Sequence, residues 1–417
     1  MRKVLGVVLL VASTMTVSMA SVAHAKPPAD GPIELTGELQ GAPYEIRVPA
    51  EWNGTLAVYA HGYSDAADHP GETENRTPQA FVNDVVEQQM LAAGYAVAGS
   101  AYASNGWAVA DAIQDTKRLV NHFRAVVGQP DQVILVGFSM GSVVAFESIE
   151  RFPDIYDGAI PSCAVGAGAP RAFDGTLAIS LAYDAVFGWP AAWGTPGDVR
   201  DDLDFDSEVL PVLISQITAP GGAARFEFMR LVVGVPRGPE WPFSDWFFTT
   251  EGRAELERRA GGPVVQNLDH TYDLTAVDRA YLAGLDPTLN IATLDGWIAE
   301  MGANRFAAPN KSRHYVEKYA DYTGELVRPV LTLHTIVDAL VPPAHIAAYQ
   351  ETVAAAGSSA LLAEAWTSGI GHCNFTPQQL VTAVDAMHLW ITSGERPESF
   401  PPEQGFVAFD PPDWPQP

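Results

Sequence analysis

The stretch VILVGFSMGSVVAF, residues 133–146, limits what this chain can fold into more than any other. Its first half is an unbroken apolar run. A strand with both faces apolar belongs in a parallel sheet covered by helices on both sides. Its second half returns to the spacing of a helix. Between them, Gly137-Phe138-Ser139-Met140-Gly141 sets a serine between two glycines. Regular structure gains nothing from that arrangement. A tight strand-to-helix turn, however, holds the serine in a strained conformation, exposes its hydroxyl above the sheet and points a helix amino end at it. The alternative is a packing turn in which Ser139 only caps the helix.

The flanking segments alternate in the same way. IELTGELQGAPYEIRVPA (33–50) reads as two strands around a turn at Gly41. TLAVYAHGY (55–63) is a buried strand ending in His61-Gly62, TPQAFVNDVVEQQMLAAG (77–94) a helix, and YAVAGSAY (95–102) a strand. A long amphipathic helix over 107–128 leads into the opening stretch, and YDGAIPSCA (156–164) follows it as a strand. Such alternation predicts an α/β fold, a mostly parallel central sheet flanked by helices. From 166 to 325 the texture changes to helical segments with dense Pro, Gly, Trp and Phe. Alternation resumes with the strand RPVLTLHTIVD (328–338), a helix over 342–357, the strand ALLAEAWTS (360–368) and a helix over 376–394. The expected organisation is a core in two parts, 26–165 and 326–395, with a largely helical cap, 166–325, inserted late in the sheet. A proline-rich tail, 396–417, is expected to lie extended on the surface.

Arg2 and Lys3 precede an apolar run, and Ala23-His24-Ala25 fits an A-x-A cleavage site. Residues 1–25 therefore read as a secretory signal peptide and the mature protein as secreted by a bacterial export route; the run is short and seeded with Ser and Thr, which disfavours a retained anchor. The chain carries 24 basic and 50 acidic residues, and cleavage would remove only Arg2 and Lys3, leaving 22 against 50 and a net charge of −28. Phosphate backbones and anionic membranes would repel that surface, so no nucleic-acid partner is expected. No other stretch approaches the ~20 continuous apolar residues of a spanning helix, so no stable membrane insertion is expected after cleavage. Two cysteines support a zinc cluster poorly, and no cofactor or metal is expected.

A serine hydroxyl needs a base to take its proton. Asp338, in the loop after its strand, and His372, in the glycine-rich loop GIGHCNF, follow Ser139 in the order serine, acid, histidine. His372 would accept the Ser139 proton and return it to the leaving group, and Asp338 would orient the imidazole. In competing readings Asp338 caps the following helix and His372 is a surface-loop histidine. His334 reads as structural and His345 as helical. The tetrahedral intermediate needs donors for its oxyanion; the backbone N–H of Met140 is one and that of Tyr63, in the loop His61-Gly62-Tyr63, the other. The His61 ring reads as a pin for that loop. Gly62 and Phe138 are candidate substrate contacts.

Elbow, His-Gly loop, Asp338 and His372 together resemble the α/β-hydrolase superfamily, over about residues 32–165 and 326–395. The resemblance implies that fold and a serine hydrolase mechanism, but no particular substrate. Cys373, directly after His372, adds a partial likeness to tannases and feruloyl esterases; their partner cysteine precedes the serine, where this chain has Phe138. Cys163, at the end of the strand after the elbow helix, should reach the same edge. A Cys163–Cys373 disulfide is expected, pinning the histidine loop to the sheet, with two separate buried thiols as the alternative.

Trp189, Trp193, Trp241, Trp246, Phe243, Phe247 and Phe248 make the cap aromatic. Most should form its own core, a few a pocket for an apolar or aromatic group. The leading expectation is a hydrolase of carboxylic esters, small or polymeric, acting through an acyl-enzyme. A capped exopeptidase resembling prolyl and tripeptidyl aminopeptidases is the second, with Asp201, Asp202, Asp204 and Glu240 available to hold a substrate amine. A binding protein without catalysis is the third.

Overall fold

The structure, a computed structural model, describes residues 32–66 and 74–414. The expected signal peptide lies outside the described residues. β1 (Ile33–Leu39) and β2 (Ala42–Val48) form an antiparallel hairpin. β3 (Thr55–Ala60), α1 (Asp84–Ala92), β4 (Ala96–Ser100), α2 (Val109–Val126), β5 (Gln132–Phe138), α3 (Met140–Arg151) and β6 (Gly158–Ser162) then alternate. A two-residue ladder, β7 (Gly194–Thr195) with β8 (Asp198–Val199), sits in the segment that follows. β9 (Val330–Val337), β10 (Leu362–Ile370) and β11 (Phe406–Val407) complete a nine-stranded sheet of order β1-β2-β4-β3-β5-β6-β9-β10-β11. Its six central strands, β4 to β10, are parallel.

That order contains a switch. From β3 the chain moves outward to β4, and α2 then carries it back across to β5 on the other side of β3. Loops after β3 and β5 leave in opposite directions, which opens a crevice between the carboxyl ends of these two strands. His61-Gly62-Tyr63 follows β3 and Ser139 follows β5.

The unbroken apolar strands are explained by two cores. Val58, Val133 and Leu135 face one, with α2, α3 and the helix Gly168–Phe187. Ala57, Ile134 and Val136 face the other, with α1 and the helix Pro377–Ser393. Each fully buried Val, Leu or Ile in these layers contributes about 1.5–3 kcal/mol. Helix α1 is shorter than its amphipathic pattern predicts. It begins at Asp84, where the Asn83 side chain accepts the N–H groups of Val85 and Val86. Residues before it cross the sheet so closely that a Cβ on Gly99 would lie 2.0 Å from the Gln79 carbonyl oxygen.

The segment between β6 and β9 is mainly helical, from Gly168–Phe187 to Asn310–Ala320. As the sequence predicts, its aromatics pack chiefly on one another. Tyr183 meets Trp189, Trp193 and Trp246 at centroid distances of 5.9, 5.6 and 5.1 Å. The tail is not wholly an extended surface strand. Phe406 and Val407 pair with Thr367 and Trp366 as the sheet edge, because the β10 edge offers unpaired backbone groups. Among the described residues, no helix is long and apolar enough to cross a membrane.

Candidate active site

Ser139 has φ 53° and ψ −120°, a conformation a non-glycine residue adopts only under strain. The strand before it and the helix after it leave no slack. A Cβ on Gly137 would lie 2.1 Å from the Gly141 carbonyl oxygen, and one on Gly141 would lie 2.0 Å from that of Ala60. Only glycine fits at either position, so the two glycines are the steric condition for the turn. Sequence and geometry agree on an elbow, and the Ser139 side chain makes no capping hydrogen bond to α3. Met140 is the first residue of α3, where N–H groups lack intrahelical acceptors.

The loop after β3 lies against this turn. A Cβ on Gly62 would sit 3.3 Å from Ser139 Cβ. His61 fixes the loop as read: its Nδ1 bonds the Gly62 carbonyl at 2.7 Å, its ring stacks on Tyr102 at 4.0 Å, and the Tyr102 hydroxyl donates to the His61 carbonyl. Burial lowers the His61 pKa, which keeps the ring neutral. Phe138 is a correction. Its side chain is 5% exposed, edge-packed against Tyr59 and Phe375, and lines neither cavity at Ser139. Side chains alternate along a strand, and the residue before the serine points into the core below the sheet.

On the other side of β5 the structure brings Asp338 and His372 together. Asp338 Oδ2 and His372 Nδ1 are 2.7 Å apart, although 34 residues separate them in sequence. Asp338 is fully buried, and its Oδ1 accepts the N–H groups of Leu340 (3.0 Å) and Val341 (2.8 Å). Burial alone would raise its pKa. The charge and hydrogen bond of His372, the charge of His334 and the Val341 amide outweigh it and hold the carboxyl below its usual range. His372 Nε2 is buried and without a hydrogen-bond partner, and it is not bonded to Ser139 Oγ. His372 and Ser139 border one cavity. A base–nucleophile bond is often long in an unliganded site and tightens when substrate binds.

Cys163 and Cys373 form the expected disulfide, with Cα atoms 5.0 Å apart across 210 residues. Cys163, Cys373 and His372 could by proximity suggest a metal site, but the two sulfurs are bonded to each other. His334 is structural as read, its Nδ1 bonded to the Thr335 carbonyl. His345 is buried and accepts the Ala167 N–H, and burial pushes its pKa down to about 3.

Two cavities meet at Ser139. One, of about 410 Å³, is walled mainly by apolar groups including Trp107, Phe173, Ile179 and Val341. The other, of about 580 Å³, is bordered by Gly62, Tyr63, Phe247 and His372, with Asp204 and Glu251 from the segment between β6 and β9. Tyr63 packs edge-on against Phe247 and Phe248. The carboxylates of that segment differ in what they do. Asp202 pairs with Arg200, Asp201 is exposed, and Asp204 caps the turn at Ser207. Glu240 binds the backbone N–H groups of His372 and Ala339. That role has no signal in the sequence, since the partners lie 132 and 99 residues away. Asp245 also lines the apolar cavity; burial, then Asp338 and Glu240, push its pKa well up.

Strand order, the switch between β3 and β5 and the serine turn at that crevice are those of the α/β-hydrolases, and this chain has their fold. No protein-family model matches the chain. It is similar to an o-phthalyl amidase from Xanthobacter agilis, 23% identical, over 90% of this chain and 91% of that protein. Among solved structures, it is similar to a lipase in an open form, with 16% identity, a TM-score of 0.41, and 86% and 99% of the two chains covered. It is also similar to feruloyl esterase B from Aspergillus oryzae, with 12% identity, a TM-score of 0.40, and 88% and 81% covered.

Proposed function

We propose that the protein is a secreted serine hydrolase that cleaves carboxylic esters of apolar or aromatic acids through an acyl-enzyme. The observation that carries this reading is the Asp338–His372 hydrogen bond of 2.7 Å beside a serine held at φ 53°. His372 Nε2 takes the Ser139 proton as Oγ attacks the acyl carbon. Negative charge collects on the former carbonyl oxygen and is met by the N–H groups of Met140 and Tyr63. The C–O bond to the leaving group breaks as the imidazolium returns its proton to that oxygen, and Asp338 stabilises the cation meanwhile. Water then attacks the acyl-serine by the same path, releasing the acid and restoring Ser139. The apolar cavity would take the acyl group, and the wider cavity the leaving group.

Amide cleavage is the second reading, favoured by the likeness to an o-phthalyl amidase over nine-tenths of both chains. The same steps apply, with nitrogen protonated on departure. An exopeptidase that holds its substrate amine on Glu240 is less supported, because that carboxylate already accepts two backbone N–H groups. The test is a series of p-nitrophenyl acyl esters beside the matching acyl p-nitroanilides. Ester turnover with slow anilide turnover is expected, and the reverse would establish the amidase reading. In either series Ser139→Ala should lower kcat roughly 10⁴–10⁶-fold. Wild-type turnover by that variant would refute the mechanism.

A further inference from the structure

We infer that Glu240, a cap residue, is a positioning residue that sets the spacing between the two loops carrying Asp338 and His372. This rests on the reading of Ser139, His372 and Asp338 as a triad. One Glu240 oxygen accepts the N–H of His372, and the other accepts that of Ala339, the residue after Asp338, at 3.3 Å. A single carboxylate therefore joins both loops. The docking is close: a Cβ on Gly371 would lie 2.9 Å from Glu240 Oε1.

The other restraints on these loops come from the sheet side. Gly371 N–H donates to the Val337 carbonyl at 2.8 Å, Thr335 Oγ1 donates to the Gly371 carbonyl at 3.1 Å, and Cys373 is tied to Cys163. Glu240 supplies the restraint from the cap side. A rigid planar group with one N–H on each oxygen fixes the distance between its donors, and so the approach of His372 Nδ1 to Asp338 Oδ2. The cap is then part of the catalytic geometry as well as a wall of the substrate cavities. Any cap displacement that withdraws Glu240 removes this restraint from both loops together and leaves those from the sheet side.

The experiment compares Glu240→Ala, Glu240→Gln and Ser139→Ala on the best p-nitrophenyl ester, with thermal unfolding of each. Misplacement on the ångström scale costs on the order of 10–100-fold in rate. Glu240→Ala should lose that much kcat with KM nearly unchanged and a melting midpoint only modestly lowered, since two N–H groups lose their acceptor. Glu240→Gln keeps one acceptor oxygen and turns an amide N–H₂ toward the other donor, so its kcat should fall between Ala and wild type. If kcat falls only in step with melting midpoint, or if Gln performs no better than Ala, Glu240 is a structural support and the inference fails. Should the Ala variant not fold, Gln decides: a several-fold kcat loss supports the inference and wild-type kcat overturns it. The triad reading fails separately, through an active Ser139→Ala. An inactive Ser139→Ala beside a fully active Glu240→Ala defeats only the role of Glu240.

Discussion

At the scale of single residues, the site depends on backbone contacts too short for a methyl group. Gly141→Ala would drive its methyl to 2.0 Å from the Ala60 carbonyl oxygen, a backbone atom, with no flexible side chain available to yield. Overpacking of this kind costs about 1–3 kcal/mol or more. Urea unfolding should show that loss, and activity should fall with it as the serine turn opens. An unchanged unfolding midpoint would mean that the elbow has slack. His345 makes a second prediction. Its native pKa, about 3, lies below its ordinary value of 6.5, so the unfolded chain binds the extra proton first as pH falls. Stability is therefore complete above about pH 6.5 and declines between there and pH 3, by an amount on the order of a few kcal/mol. His345→Gln should flatten the slope of unfolding free energy over that interval. Equal slopes would place the acid sensitivity elsewhere. Asp338 acts in the same direction lower down, since its depressed pKa gives stability that is lost as pH falls through the native value.

At the scale of elements, β6, β10 and the histidine loop are joined by the disulfide. Cys163 follows β6, Cys373 follows β10, and the bond spans 210 residues. A loop of that length gives a chain-entropy stabilisation of up to about 5 kcal/mol. The double variant Cys163→Ser, Cys373→Ser should unfold at lower urea than the oxidised protein and turn over more slowly, because His372 precedes the bridge directly. The wild type in reductant should behave likewise. Equal stability and activity with and without reductant would remove the bridge from the account. The sequence conveys most of these elements and fewer of their ends. Apolar runs such as 133–136 mark strands because both sheet faces are covered. The start of α1 was obscured, since residues 77–83 have helical spacing but lie over Gly99 as irregular chain ended by the Asn83 cap.

At the scale of the whole molecule, 50 acids against 24 bases leave a net charge of −26 on the full sequence. Like charges repel across the surface, and salt screens them over about 10 Å at 0.1 M. The melting temperature should therefore rise between 10 and 300 mM sodium chloride. A flat or falling response would show that the acids are balanced locally by ion pairs such as Arg313 with Asp174.

The architecture was legible in the sequence, and so were Ser139, Asp338 and His372 as candidates for the chemistry. Those signals are local: covered strands, a glycine-framed turn and loops at strand ends can each be read within about ten residues. Tertiary structure alone decided what crosses the chain. It withdrew Phe138 into the core, drew β11 from the tail into the sheet, and set the Glu240 carboxylate on the His372 and Ala339 amides. It also set the Asp338–His372 distance and the two cavities at Ser139. The reason is that a carboxylate or an aromatic ring has the same local pattern whether it meets substrate, solvent or a distant backbone. Only the packed chain selects among these partners.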